Sequence, residues 1–294
     1  MRLVAERTGL SPDVLRAWER RYGVVSPGRS DGGQRLYSDA DIERLSLMVK
    51  AIEGGRSVGQ TASLPIEELH RLVAEDAARG AARPTPAADY RELAFASAAA
   101  LAPDQLQTVL RSAVLSLGTA AFLEEVVAPL LRRIGDAWHA GEIGIVEEHA
   151  ASAVVRGMLG WLVDSLEIPP GAPRVVVACP ARERHELGAL LATSAAAHAG
   201  WRVTYLGPDL PAREIAAAAG RQQATVVGVS IVAPPDLGAT TEELRQLRQE
   251  LPPPVALLAG GTGAQSLGDL GPGITVVRDL AHWRTLLRLY APVH

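Results

Sequence analysis

The sequence predicts a multidomain fold: a small all-α head with a wing, a four-helix bundle, and an α/β doubly wound domain. Three observations lead there. Two breaks rich in proline and small residues, Arg79-Gly-Ala-Ala-Arg-Pro-Thr-Pro-Ala-Ala88 and Ile168-Pro-Pro-Gly-Ala-Pro173, divide the 294 residues. Between the breaks, apolar residues recur at intervals of three and four, the helical period. After the second break they come in short continuous runs, the pattern of strands covered on both faces.

Residues 1–78 make the head. Residues 2–9 read as a short helix, Gly9-Leu10 as a turn, and Ser11-Pro-Asp as the start of a second helix, with serine as N-cap and proline in the first turn. In that helix Val14, Leu15, Trp18 and Tyr22 form a buried stripe. Arg16 and Arg20, four apart, share the opposite face, and Arg21 lies beside them. The glycines of Asp31-Gly-Gly-Gln-Arg-Leu-Tyr37 favour a tight hairpin or wing carrying Arg35 and Tyr37, and Ser38-Asp-Ala-Asp41 caps a further helix. Helix, turn, helix and wing with outward arginines can set donors against the phosphates and base edges of double-stranded DNA. Charge alone fits a solvated arginine face equally well; the order of elements favours the DNA reader.

After a linker at 79–88, the bundle occupies 89–167, with helices expected at 89–101, 104–117, 119–139 and 145–167. The third shows the period most clearly, in Leu123, Val126, Val127, Leu130, Leu131 and Ile134. Its end carries Trp138-His139, and the fourth helix opens with Glu148-His149. Residues 174–294 then alternate strands, at Val175–Ala178, Val203–Leu206, Val226–Val229, Val255–Leu258 and Ile274–Val277, with alanine-rich helices. Ligands of such sheets sit outside the carboxyl ends of the strands.

Composition narrows the class. The chain is 48% hydrophobic and 21% charged, which excludes wholesale disorder. No apolar run reaches the roughly 18 residues of a membrane span, and Met-Arg-Leu-Val-Ala-Glu-Arg does not read as a signal peptide, so a cytoplasmic protein with no membrane partner is expected. The single cysteine, Cys179, excludes an internal disulfide. Residues 1–60 hold ten basic and eight acidic side chains, against 19 and 25 in the rest, a mildly basic head on an acidic body.

Leu15-Arg-Ala-Trp-Glu-Arg-Arg-Tyr-Gly23 followed by Gly32-Gly-Gln-Arg-Leu-Tyr-Ser38 closely resembles the MerR-type winged helix-turn-helix over residues 1–75. That resemblance implies operator contacts from Arg16, Arg20, Arg21, Arg35 and Tyr37.

The first strand of the α/β domain ends in Cys179-Pro-Ala-Arg-Glu183-Arg-His185-Glu-Leu-Gly188. After 41 intervening residues comes Ser230-Ile-Val232, and after 27 more Gly260-Gly261. This resembles the cobalamin-binding signature Asp-x-His-x-x-Gly, Ser-x-Leu, Gly-Gly, with Glu183 in place of aspartate and Val232 in place of leucine. A Rossmann-like cobalamin-binding domain is implied. Neutral imidazole suits cobalt, so His185 is the expected lower axial ligand, and an acid two residues earlier can hold its other ring nitrogen. Gly188 is expected to let backbone approach the corrin, and Ser230 with Gly260-Gly261 to leave room for the nucleotide tail. A dinucleotide loop at Gly260-Gly-Thr-Gly263 is excluded, because no third glycine follows and the motif sits on the fourth strand rather than the first.

Trp138 and Glu148-His149 match the Trp-x9-Glu-His motif of the CarH/LitR group of light-dependent repressors, and Tyr205-Leu-Gly-Pro-Asp209 shares that group's local wording. The resemblance then spans essentially the whole chain. It implies a regulator rather than an enzyme, with adenosylcobalamin as chromophore, Trp138 packed on the adenosyl group, and Glu148 and His149 bordering it. In the dark a homotetramer, a dimer of dimers, would bind the operator through several heads, gaining affinity by multivalency. Light would cleave the Co–C bond, His139 would take the upper axial position on cobalt, and smaller species would release DNA. Two alternatives are a cobalamin-level sensor without a light response and a corrinoid methyl carrier. The head argues against the carrier.

Overall fold

The computed structural model describes residues 4, 7–8, 10, 12–25, 27–29, 35–53, 56–81 and 86–291. They belong to two compact units, Met1–Arg83 and Pro84–His294. Most of the expected first helix and residues 31–34 of the wing lie outside the described residues, although Val4, Arg7 and Thr8 are helical.

In the head, helix α1 (Pro12–Tyr22) is followed by strands β1 (Gly28–Arg29) and β2 (Arg35–Leu36), which pair antiparallel. Among its described residues the head's regular structure is helical apart from a two-residue ladder at the wing. Helices α2 (Asp39–Glu53), α3 (Val58–Ala62) and α4 (Ile66–Ala81) complete it. Ser38 and Asp41 start α2 by reciprocal bonds of 2.8 and 3.1 Å, as their spacing predicts. Val14, Leu15 and Trp18 enter a core with Ile42, Leu45, Met48, Ile52 and Leu69. Arg44 ties the unit across its loops by donating to the carbonyls of Val24 (2.9 Å) and Ala62 (2.7 Å).

The second unit begins with α5 (Pro86–Ala99) and α6 (Pro103–Leu117). The expected linker is thus shorter than 79–88, since residues 79–81 end α4 and residues 86–88 open α5. The third bundle helix, α7, is not uniform: Thr119–Ala121 and Ala128–His139 are α-helical, but Phe122–Val127 form a π turn. Pro129 supplies the cause. It has no N–H to return to the carbonyl of Glu125, and that oxygen is taken instead by Arg91 of α5 at 3.0 Å. The wider turn still buries Phe122, Leu123, Val126 and Val127. Helix α8 (Ile145–Asp164) closes the bundle, ending three residues before the predicted boundary.

The α/β part runs β3 (Arg174–Ala178), α9 (Leu187–His198), β4 (Arg202–Tyr205), α10 (Ala212–Gln222), β5 (Val226–Ser230), α11 (Leu237–Glu250), β6 (Ala256–Gly260), β7 (Ile274–Val276) and α12 (Leu280–Tyr290). All five strands are parallel, in the order β4-β3-β5-β6-β7. The chain reverses direction across the sheet between β3 and β5, the switch point where doubly wound folds bind ligands. The bundle and the sheet were expected as separate domains, 89–167 and 174–294. In the structure one continuous apolar core joins them, from Leu110, Phe122 and Leu159 to Val177, Ala195 and Trp283. Among the described residues no helix is long and apolar enough to cross a membrane.

Candidate cobalamin site and nucleic-acid interface

The carboxyl ends of β3, β5 and β6 face helices α7 and α8 across a cleft of about 1180 Å³. Ordinary small-molecule pockets measure roughly 300–1,000 Å³, so this one suits a larger guest. From the sheet side it is lined by His185, Gly188, Ser230, Val232, Gly260 and Gly261, and from the bundle by Trp138, His139, Glu148 and His149. Every expected cofactor residue except Glu183 lines this one space.

Glu183 lies behind it, 1% exposed. One carboxylate oxygen accepts from His185 Nδ1 at 2.6 Å and from the His185 backbone N–H at 2.8 Å. The other accepts from the backbone N–H groups of Val232 (2.8 Å) and Ala233 (3.0 Å). Burial alone pushes the Glu183 pKa up, but these four bonds to the charged form outweigh it and hold the carboxyl below its ordinary value. The longer acid therefore does reach the ring, and it also fastens the β5 loop to the histidine loop. With Nδ1 committed to Glu183, Nε2 is the ring nitrogen left on the cleft side of a half-exposed imidazole that could accept a metal. Cys179 sits beneath, its buried thiol pushed up to about 12 by burial and by Glu183 and Glu186, and it donates to the His185 carbonyl at 3.7 Å. It is a support, not a nucleophile.

The glycines have particular reasons. A Cβ on Gly188 would meet Ser230 Oγ at 2.6 Å, so this glycine serves contact with Ser230 rather than only approach of a ring. Gly261 has φ +97° and its Cβ would stand 2.1 Å from the Ile231 carbonyl, whereas Gly260 makes only ordinary contact with Val277 at 3.4 Å. Ser230 Oγ is buried and has no hydrogen-bond partner among the described residues. An orphaned hydroxyl on the cleft wall beside a pre-oriented imidazole fits a guest that brings polar groups of its own, as the corrinoid does.

On the bundle side, His139 Nδ1 donates to the Gly135 carbonyl at 2.7 Å, and its ring meets Trp138 edge-on with centroids 4.8 Å apart. Trp138 is 42% exposed, a large apolar surface open to the cleft. Glu148 accepts from His149 Nδ1 and from Ser152 Oγ, both at 2.6 Å. Sequence reasoning missed Arg132, Ser152, Arg156 and Trp283, which also line the cleft. Ser152 and Arg156 follow Glu148 at successive intervals of four on α8, a signal available in the sequence. Trp283 carried none: it reaches the cleft by packing over Gly228 and donating to the Ala192 carbonyl at 3.0 Å.

In the head, Arg16 and Arg20 are exposed on α1, as expected. Arg21 is exposed too, its guanidinium 5.5 Å from the Tyr22 ring. Arg35 and Tyr37 are engaged within the head: Arg35 Nε donates to Glu19 at 2.8 Å and the Tyr37 hydroxyl donates to the same carboxylate. Burial and this acid hold the Tyr37 pKa above its ordinary value, so the phenol stays a donor.

Comparison with known proteins follows the same division. The family described as MerR HTH family regulatory protein matches residues 1–62, and two families described as B12 binding domain match residues 92–162 and 173–279. The chain is 35% identical over 268 residues to the HTH-type transcriptional repressor CarH of Myxococcus xanthus, covering 90% of this chain and 89% of that one. It is 34% identical over 270 residues to the HTH-type transcriptional repressor CarA of the same organism, covering 90% and 87%. In fold it resembles the Methanosarcina barkeri monomethylamine corrinoid protein, with a TM-score of 0.53 at 16% identity over 67% of this chain and 94% of that one.

Proposed function

The chain belongs to the family of the HTH-type transcriptional repressors CarH and CarA, and from that membership we propose that it is a light-responsive repressor that binds adenosylcobalamin. The coarser reading, a DNA-binding repressor carrying a cobalamin domain, rests on three matched regions and on near full-length identity. The observation that carries the finer reading is the cleft itself. It presents an acid-held imidazole on one wall and Trp138, His139, Glu148 and His149 on the other.

When bound, adenosylcobalamin supplies a cobalt–carbon bond that light can break. The chain's part is to hold and to sense. His185, kept in its Nδ1–H form by Glu183, would hold the cobalt through Nε2. Trp138 covers the adenosyl face and keeps water from it, with Glu148 and His149 at the rim. His139 waits at the end of α7, next to the turn Ala140–Gly144, whose Gly141 has φ +73° and tolerates rearrangement. The end of α7 would be able to move into the cleft once the adenosyl group has gone, and His139 would then hold the cobalt as a second imidazole. Arg16, Arg20 and Arg21 meet operator DNA, and assembly into a dimer of dimers makes several weak heads act as one strong binder.

The test is a visible spectrum of the full chain loaded with adenosylcobalamin, recorded in the dark and after a green flash, beside an operator gel shift. A spectral change with loss of the shifted band supports the reading. Stable binding of both cofactor and operator through illumination favours a cobalamin-level sensor instead. A His139→Ala protein should lose assembly in light but release cobalamin more readily than wild type.

A further inference from the structure

His185 is bracketed by two acids with different attachments. Glu183 is fastened to the sheet side, as described above. Glu186, the residue following His185 and standing at the N-cap position of α9 without capping it, is fastened to the bundle. Its Oε1 receives Arg156 of α8 through Nε at 2.8 Å and Nη2 at 2.7 Å, a two-point guanidinium–carboxylate pair. Its Oε2 receives the Tyr205 hydroxyl of β4 at 2.7 Å. The Glu186 side chain is 20% exposed, and both it and Arg156 line the cleft.

Helices α8 and α9 are joined again farther along by the buried bond from Ser194 Oγ to the Leu159 carbonyl at 3.2 Å. The pair is thus pinned at the buried end and clasped at the cleft end. A shift of α8 that leaves the buried pin in place must act on Glu186. We propose that Glu186 is a positioning residue, clasped by Arg156 and Tyr205, through which the position of bundle helix α8 sets the position of the His185 loop. The cleft's two walls are then mechanically coupled through the chain, without requiring the guest to link them. Exposed ion pairs are worth little, but this one is half-shielded, and its carboxylate also holds the part-buried Tyr205 hydroxyl, which raises its stiffness. The inference rests on the cobalamin reading only for its purpose; the clasp belongs to the chain alone.

Arg156 is half exposed, so Arg156→Met keeps the stem and removes the fork without opening the core. Backbone hydrogen exchange of the full-length, cofactor-free protein reads the clasp directly. Amides of residues 184–190 should exchange about tenfold faster in Arg156→Met, with Arg156→Lys restoring part of the protection. The amides around Leu159 and Ser194 should be unchanged. Unaltered exchange at 184–190, or an equal rise across α8 and α9, overturns the proposal, since the second pattern is mere loss of stability. Loaded with hydroxocobalamin, Arg156→Met should also release the cofactor about tenfold faster on dilution, and a wild-type release rate contradicts the role. If wild type itself takes up no hydroxocobalamin, the cobalamin reading fails while the exchange result still decides the clasp.

Discussion

The His185 imidazole and the Glu183 carboxylate meet at 2.6 Å, and the same acid holds the N–H groups of Val232 and Ala233 from the neighbouring strand end. One buried carboxylate therefore orients the imidazole and joins the two loops that frame it. Removing each partner should have different consequences. His185→Ala deletes a half-exposed ring, and the apo fold should melt near the wild-type temperature while cobalamin binding falls sharply. Glu183→Ala takes the acceptor from three part-buried backbone N–H groups, those of His185, Val232 and Ala233, and should lower the melting temperature of the cofactor-free protein as well. Thermal melts with equilibrium dialysis separate the two.

Adjacent glycines should differ in the same way. Gly261→Ala forces a Cβ to 2.1 Å from a backbone carbonyl at φ +97°, and should cost more than about 3 kcal/mol. Gly260→Ala meets Val277 at 3.4 Å and should cost less than about 1 kcal/mol in the apo protein. Denaturant midpoints check the order.

His282, next to the cleft-lining Ala281 and Trp283, gives the fold an acid sensitivity of its own. Burial, with help from Arg278 and opposed by Asp279, lowers its pKa from 6.5 to about 4, and its Nδ1 accepts the Arg278 N–H at 3.2 Å. The unfolded chain therefore takes this proton before the folded chain does. The associated stability is complete above about pH 6.5 and declines as the pH falls toward 4, by on the order of 3 kcal/mol across that window. Urea unfolding of His282→Gln should show a flatter slope than wild type between those values.

Operator binding should depend on Arg16 and Arg20 directly and on Glu19 indirectly. Alanine at either arginine should weaken binding by about 1–3 kcal/mol if it reads a base edge, with dark assembly unchanged. Glu19→Ala removes the acceptor that Arg35 and Tyr37 share, so adding Arg35→Ala to it should cost less than Arg35→Ala alone. Gel shifts on the four proteins decide this.

The legible parts of the molecule were those written in local chemistry. The continuous runs Val175–Ala178 and Val226–Val229 became central parallel strands, and Glu183, His185, Gly188 and Ser230 met at the sheet's switch point because their spacing follows strand and helix lengths. The π turn at Phe122–Val127 was not legible from the apolar period, which it preserves; Pro129 was its single mark. Glu19 was hidden because its partners lie across a wing whose geometry no local pattern states. Glu186 was hidden because Arg156 and Tyr205 approach it from elements that only the fold brings together.

The most direct test of the account is the molar mass of the adenosylcobalamin-loaded protein by light scattering, in darkness and after green light, for wild type and His185→Ala. The account predicts a tetramer in the dark that falls to smaller species on illumination, and no dark tetramer for His185→Ala. A wild-type mass that is the same in darkness and in light, or a His185→Ala protein that assembles as wild type does, would contradict it.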